Sequence, residues 1–206
     1  MSKGYTTETK IEDYILTDID ARLSASVDQW ISAMEKLIDN ITGRNFIADS
    51  VASIRYYDGD DDQELLIDDA IAISKVEVGN DSYGGSFTEI QSTGSDRYFT
   101  DPANNSAKGL PINKLTLNTR RWPEGKQNNK ITARWGYSAA VPNDISFATT
   151  VFVAGIINQN RQGGDEVKSE KIGNYTVTYN TDSANNSWAD FENAKAILDS
   201  YKKINI

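Results

Sequence analysis

The chain has 206 residues, a formal net charge of −9, a quarter of its residues charged, and neither Cys nor His. Without those two side chains, disulfides, thiolate zinc sites, Cys nucleophiles and the Ser-His-acid triad are excluded, so any enzymatic chemistry would fall to carboxylates, Lys or Tyr. The acidic balance opposes tight binding to a phosphate backbone, because that affinity comes largely from Lys and Arg displacing counterions.

The start, MSKGYTTETKIEDY, is polar and lacks the apolar core and small-residue cleavage site of a signal peptide, which predicts folding in a cytoplasm. Residues 7–16 place Ile11, Tyr14 and Ile15 at helical spacing, with acids near the start where the helix dipole favours them. A second helix follows. Leu23, Val27, Trp30, Ile31, Met34, Leu37, Ile38 and Ile41 step by three and four along one face, and Asp28, Glu35, Lys36 and Asp39 take the other. Gly43 supplies the left-handed stop. Trp30 and Met34 read as core packing rather than ligand contacts.

Between these helices and the next, the pattern becomes short β segments. Residues 50–57, 73–78, 87–91, 97–100, 115–118 and 130–135 are rich in β-branched or aromatic side chains. DGDDD at 58–62, GND at 79–81, YGG at 83–85, DPANN at 101–105 and PEGKQNN at 123–129 read as the turns between them. Such a series predicts a small antiparallel β-subdomain inserted between helices.

After Pro142, with Asn143 or Asp144 as a cap, residues 145–160 form an uncharged run that is apolar in every helical direction. A helix of that kind is buried on all sides. At about 16 residues and broken by Thr149, Thr150 and Asn158, it falls short of the ~20 apolar residues a membrane span requires. KSEKIGNYTVTYN then reads as a hairpin with Gly173 and Asn174 in its turn. In the last helix Ser187 and Asp190 have cap spacing, and Trp188, Phe191, Ala194, Leu198 and Tyr201 form its stripe. The fold class expected is α+β: a bundle of about four helices with an inserted antiparallel β-subdomain and a C-terminal hairpin. Its segments are 1–48, 49–137 and 138–206, within one connected domain of 1–206.

No motif marks catalysis. The run Asp58, Asp60, Asp61, Asp62 and Glu64 has the first spacings of a calcium loop, but Gln63 stands where Gly is needed and Asp69 where a bidentate Glu is expected, and the flanks read as strands. It reads as a solvated hairpin tip. No pair of acids sits in an aromatic or apolar setting of the kind glycoside cleavage uses. YGGSF and RQGGDE match neither a P-loop nor a dinucleotide fingerprint. No cofactor or metal is expected. Arg120, Arg121, Trp122, Arg134 and Trp135 form the one basic and aromatic concentration; with Trp122 and Trp135 flanking a hairpin loop, it reads as a cross-strand cluster with a cation over an indole. The rival reading makes Trp122, Trp135 and Tyr137 the sugar platform of a carbohydrate-binding or adhesin-like β module.

The order of segments resembles the tailed-bacteriophage head-tail connector, or adaptor, proteins of the gp6-like family. The residues that carry it are VDQWISAMEKLIDNITGRNF, RYYDGDDDQELLIDD, RRWPEG, ITARWGYSAAVPNDISFATTVFVAG and SEKIGNYTVTY before a terminal helix ending SYKKI. The β-rich stretch at 73–119 departs from the compact helical members. The resemblance implies a non-enzymatic structural protein of the virion neck, a homo-oligomeric ring, typically a dodecamer, bound under the portal protein. It would offer a platform for the stopper or tail-completion protein and continue the channel through which DNA passes, with no membrane partner. Tyr201, Lys202, Lys203, Ile204 and Ile206 are the expected portal contacts.

Overall fold

Thr7 and Leu16 bracket the first helix, α1 (Glu8–Ile15): the Thr7 hydroxyl accepts the Lys10 N–H at 3.3 Å, and Leu16 turns the chain with φ 55°. Asp20 caps α2 (Ala21–Thr42) by accepting the Arg22 N–H at 2.9 Å, and Gly43 ends it at φ 68°. The structure, a computed structural model, describes residues 2–79, 85–161, 167–172, 175–180 and 187–203. It divides into two units, Met1–Arg44 with Val141–Ile206, and Asn45–Ala140.

In the helical unit, α3 (Asn143–Arg161) runs beside α1, α2, α4 (Ser187–Tyr201) and β8 (Tyr175–Asn180), which pairs with β7 (Val167–Ile172) in an antiparallel hairpin. With neighbours on so many sides, α3 has no outer face over two turns, and every residue at 148–155 is buried. Burying each of Val151, Phe152 and Ile157 contributes about 1.5–3 kcal/mol. The polar side chains in this run are satisfied locally. Thr149 donates to the Ile145 carbonyl at 2.7 Å and Thr150 to that of Ser146 at 2.8 Å, a back-bonding that removes the cost of a buried hydroxyl. Phe152 meets Phe191 of α4 edge-on at 5.3 Å.

Two details of this unit differ from the sequence reading. Glu35, assigned to the polar face of α2, is only 2 % exposed. Its carboxylate accepts from Ser2 Oγ (2.9 Å), Lys3 N (2.7 Å) and Tyr5 N (2.8 Å), so the segment before α1 is what covers it. Trp30, read as core, is half-buried, as are Leu23, Leu37 and Ile41, whereas Val27, Ile31, Met34 and Ile38 are fully buried. The stripe on α2 is therefore wider than its fully buried part. Asp190 stands in the first turn of α4, as expected, and accepts the Tyr14 hydroxyl at 2.9 Å. The turn at Gly173 and Asn174, the loop stretches at 80–84, 162–166 and 181–186, and the side chain of Trp188 lie outside the described residues.

The second unit is one antiparallel sheet of β1 (Ser53–Gly59), β2 (Glu64–Gly79), β3 (Phe87–Ile90), β4 (Tyr98–Asp101), β5 (Ile112–Leu117) and β6 (Gly125–Trp135). Its order is β1-β6-β2-β5-β4, with β3 also on β2. The expected strands at 87–91 and 97–100 appear within a residue of their places. β2 is longer than expected: it starts at Glu64, not residue 73, pairs first with β5, then shifts register near Ala70 and continues against β6 and β3. Asp68 is held in the strand by the Arg55 guanidinium (2.6 Å) and the Tyr57 hydroxyl (3.1 Å), which both donate to it. The expected turn at 123–129 is also overturned. Gly125 already pairs with Gly59, and a bulge opposite Asp58 absorbs Gln127 at φ 51°. Asp58 holds that bulge by accepting the Gln127 N–H at 2.8 Å and Lys126 Nζ at 2.7 Å.

Leu65, Ile67, Val76, Ile90, Leu115 and Ile131 line the core face of the sheet together with Trp122 and Trp135. Where the chain enters and leaves, Tyr137 N donates to the Asn45 carbonyl (2.8 Å) and Ala48 N to that of Ser138 (2.9 Å). Gly136 is obligatory there. Its φ is 136°, and a Cβ would stand 2.4 Å from Ala48 Cα.

Candidate interaction surfaces

The expected portal-contact tail is rooted where three helix ends meet. The stripe Phe191, Ala194 and Leu198 buries one face of α4 and brings Tyr201 inward. Its hydroxyl donates to Asp144 Oδ2 at 2.9 Å, at the start of α3, and its carbonyl accepts from Arg44 Nε at 2.6 Å, just past α2. That guanidinium occupies one of the four carbonyls a helix end leaves unpaired. Lys203 N then donates to the Thr42 carbonyl at 2.8 Å, while the exposed Lys202 ammonium reaches Asp199 at 2.6 Å. Tyr201, Lys202 and Lys203 are thus brought together on a fixed base. Ile204 and Ile206 lie outside the described residues.

The basic and aromatic concentration is not brought together as one site. Trp122, Trp135 and Tyr137 are 0, 1 and 9 % exposed, so the sugar platform is overturned: their faces are spent on the core. Nor do Trp122 and Trp135 flank a hairpin loop, because the strands on either side of residues 118–124, β5 and β6, are not neighbours in the sheet. Both indoles instead donate to carbonyls at strand starts, Trp122 Nε1 to that of Gln63, just before β2 (3.0 Å), and Trp135 Nε1 to that of Ser53, which opens β1 (2.9 Å). The cation over Trp135 is Arg55, 4.6 Å from the ring centroid, a residue outside the predicted set. Arg120 pairs with Asp96 at 2.5 Å, Arg121 donates to the Asp61 carbonyl at 2.7 Å, and Arg134 to that of Asp49 at 3.2 Å. Burial pushes the neighbouring Tyr57 hydroxyl above its ordinary pKa.

The acidic tip is organised by partners of its own chain. Asp61 N donates to the Trp122 carbonyl at 3.0 Å and Trp122 N to that of Asp62 at 2.7 Å, while Glu64 accepts Lys114 Nζ at 2.7 Å. The hydrogen bond from Lys126 holds the Asp58 carboxyl below the usual range. Asp69 is buried, on β2 rather than in the loop. Among the described residues no three Asp or Glu side chains are placed to share a metal ion. Sequence reasoning missed Glu77, on the outer sheet face between Lys75 (2.9 Å) and Lys130 (3.0 Å). The Lys75 hydrogen bond, with that of Lys130, lowers its pKa. Only the register of β2 against β6, which sets Glu77 opposite Lys130, reveals that trio. Among the described residues, no helix is long and apolar enough to cross a membrane.

No family model matches the chain, and no curated protein sequence does. Its fold is similar to that of chains in solved gene transfer agent particles. One is from the neck of an empty gene transfer agent particle computed with C6 symmetry: TM-score 0.53, 12 % identity, covering 98 % of this chain and 91 % of that one. Another is from the virion of a native gene transfer agent particle: TM-score 0.51, 15 % identity, covering 100 % of this chain and 94 % of that one.

Proposed function

We propose that this chain is a non-enzymatic structural subunit of a tailed-phage or phage-like virion neck. Copies of it form a ring, a dodecamer in the arrangement the family resemblance implies. That ring sits under the portal protein, receives the stopper or tail-completion protein on its other side, and continues the DNA channel. The observation that supports this reading most directly is fold-level likeness over nearly the whole chain to chains of neck and virion particles. A net charge of −9 suits a lumen through which DNA slides without adhering, provided acids face it.

In this reading Tyr201, Lys202, Lys203, Ile204 and Ile206 reach the portal. Tyr201 and Lys203 are held at the junction of three helices, so whatever follows them starts from a rigid base. Negative-stain images of the protein mixed with its portal test the assignment. A ring stacked coaxially on the portal is the expected result, and full-length protein that never associates with the portal overturns it. Removal of residues 202–206 is expected to abolish portal binding while leaving the fold intact; portal-bound rings of the truncated chain would remove the tail from the contact.

A further inference from the structure

We propose that neighbouring copies in the ring meet through α2 of one copy packed antiparallel on α4 of the next, a contact that rests on the ring reading above. On α2, Ser26, Trp30, Ala33 and Leu37 recur at i, i+4, i+7 and i+11, so they lie along one side of the helix next to the buried stripe. All four are half-buried and none is charged, in a chain with one charged residue in four. On α4, Ala189, Asn193, Ala196 and Ser200 repeat the same spacing on the side opposite Phe191, Ala194 and Leu198, and all four are exposed. One row presents a large indole and a leucine. The other presents small side chains that let a partner helix approach closely. Bulky side chains seated against a row of small ones at matching intervals satisfy the geometry of helix packing.

Charge selects the partner and the direction. Alongside the α2 row stands a second row, Arg22, Gln29 and Lys36, at heptad spacing and exposed. Beside the α4 row stand Glu192 and Asp199, also seven apart and exposed. Each charged row lies on the same rotational side of its uncharged row. An antiparallel packing with Ala33 beside Ala196 sets Lys36 against Glu192 and Gln29 against Asp199, whereas a parallel one would place the two flanking rows on opposite sides of the contact. Opposite charges at the rim fix register and disfavour wrong pairings. Because the two surfaces differ, each copy offers one of each. The contact is heterologous and repeats from copy to copy, which is the kind that closes into a ring.

The native chain has no Cys, so a pair of introduced thiols reports on this contact alone. With Ala33→Cys and Ala196→Cys in one chain, mild oxidation of portal-bound rings is expected to give a ladder of covalent dimers, trimers and larger species. Each single variant stops at dimers at most. Reversing charge with K36E or with E192K is expected to lower the ring fraction at least tenfold, and combining the two to restore it. Rings that give no ladder, or an internal disulfide in the monomer, overturn the contact while leaving the ring reading standing. Failure of unmodified protein to form any ring on the portal removes the ring reading, and the contact with it.

Discussion

Replacing Glu35 by Ala removes the acceptor that holds the segment ahead of α1 against α2. Three donors lose their partner: Ser2 Oγ at 2.9 Å, Lys3 N at 2.7 Å and Tyr5 N at 2.8 Å. They are not equivalent. Ser2 and Lys3 are exposed and return to water, whereas Tyr5 is fully buried and its N–H is left unsatisfied. An orphaned buried donor costs about 1–3 kcal/mol, and two charge-assisted bonds exchanged for water cost roughly 0.5–1.5 kcal/mol each. The expected loss for E35A is therefore about 2–6 kcal/mol. E35Q keeps an amide oxygen for the backbone donors and loses less, about 1–2 kcal/mol. Urea unfolding followed by far-UV circular dichroism measures both, with the slope checked so that the free energies are comparable. An E35A protein within about 0.5 kcal/mol of wild type would refute the reasoning, because changes that small are typical of surface positions without a structural role.

Leu16 sits at φ 55° and is 83 % exposed, so Leu16→Gly removes left-handed strain of about 1–2 kcal/mol at the smaller entropy cost of a glycine, and the midpoint of thermal unfolding is expected to rise. Gly136→Ala has both an adverse φ and a Cβ 2.4 Å from Ala48 Cα; a loss of at least about 2–3 kcal/mol is expected in the same assay. Val151 is 1 % exposed on the helix surrounded by its unit, so Val151→Asp is expected to leave no folded protein in size-exclusion chromatography, and a native-like elution volume would count against that burial. The Glu77 pKa lies below its ordinary 4.5, so the pairing with Lys75 and Lys130 stabilises fully above that value and is lost as pH falls through the lowered pKa. Glu77→Gln should remove that part of the acid limb of a stability–pH curve and leave the neutral-to-alkaline limb unchanged in shape.

Periodicity carried the helices because their environment is nearly uniform along each face. The uncharged run at 145–160 demanded partners on all sides, and α3 has them. Strand extents were harder, since the residues that decide them act across the sheet. Asp68 and Asp69 interrupt an apolar run in sequence, yet Arg55 and Tyr57 on another strand make Asp68 compatible with β2. PEGKQNN has turn composition throughout, and only the partnership of Asp58 with Lys126 and Gln127 draws it into β6. Glu35 differs again. Its position beside Ile31 and Ile38 on the helix surface is visible in the sequence, but the three residues that bond to it, Ser2, Lys3 and Tyr5, belong to a segment with no periodic signal. For the surfaces, residue type misled where burial decides: Trp122, Trp135 and Tyr137 were attractive as exposed rings and are interior ones.

The helical unit is discontinuous in the chain, and that has a consequence during synthesis. Residues of α1 and α2 leave the ribosome first, but α3 and α4, which cover them, lie beyond the whole of Asn45–Ala140. At ~5–20 residues per second, roughly 100 intervening residues leave the stripe of Val27, Ile31, Met34 and Ile38 bare for about 5–20 s. The sheet, whose strands are contiguous in sequence, can close during that interval. The sheet therefore has all its strands available for pairing while the early helices still present an apolar surface that awaits α3 and α4.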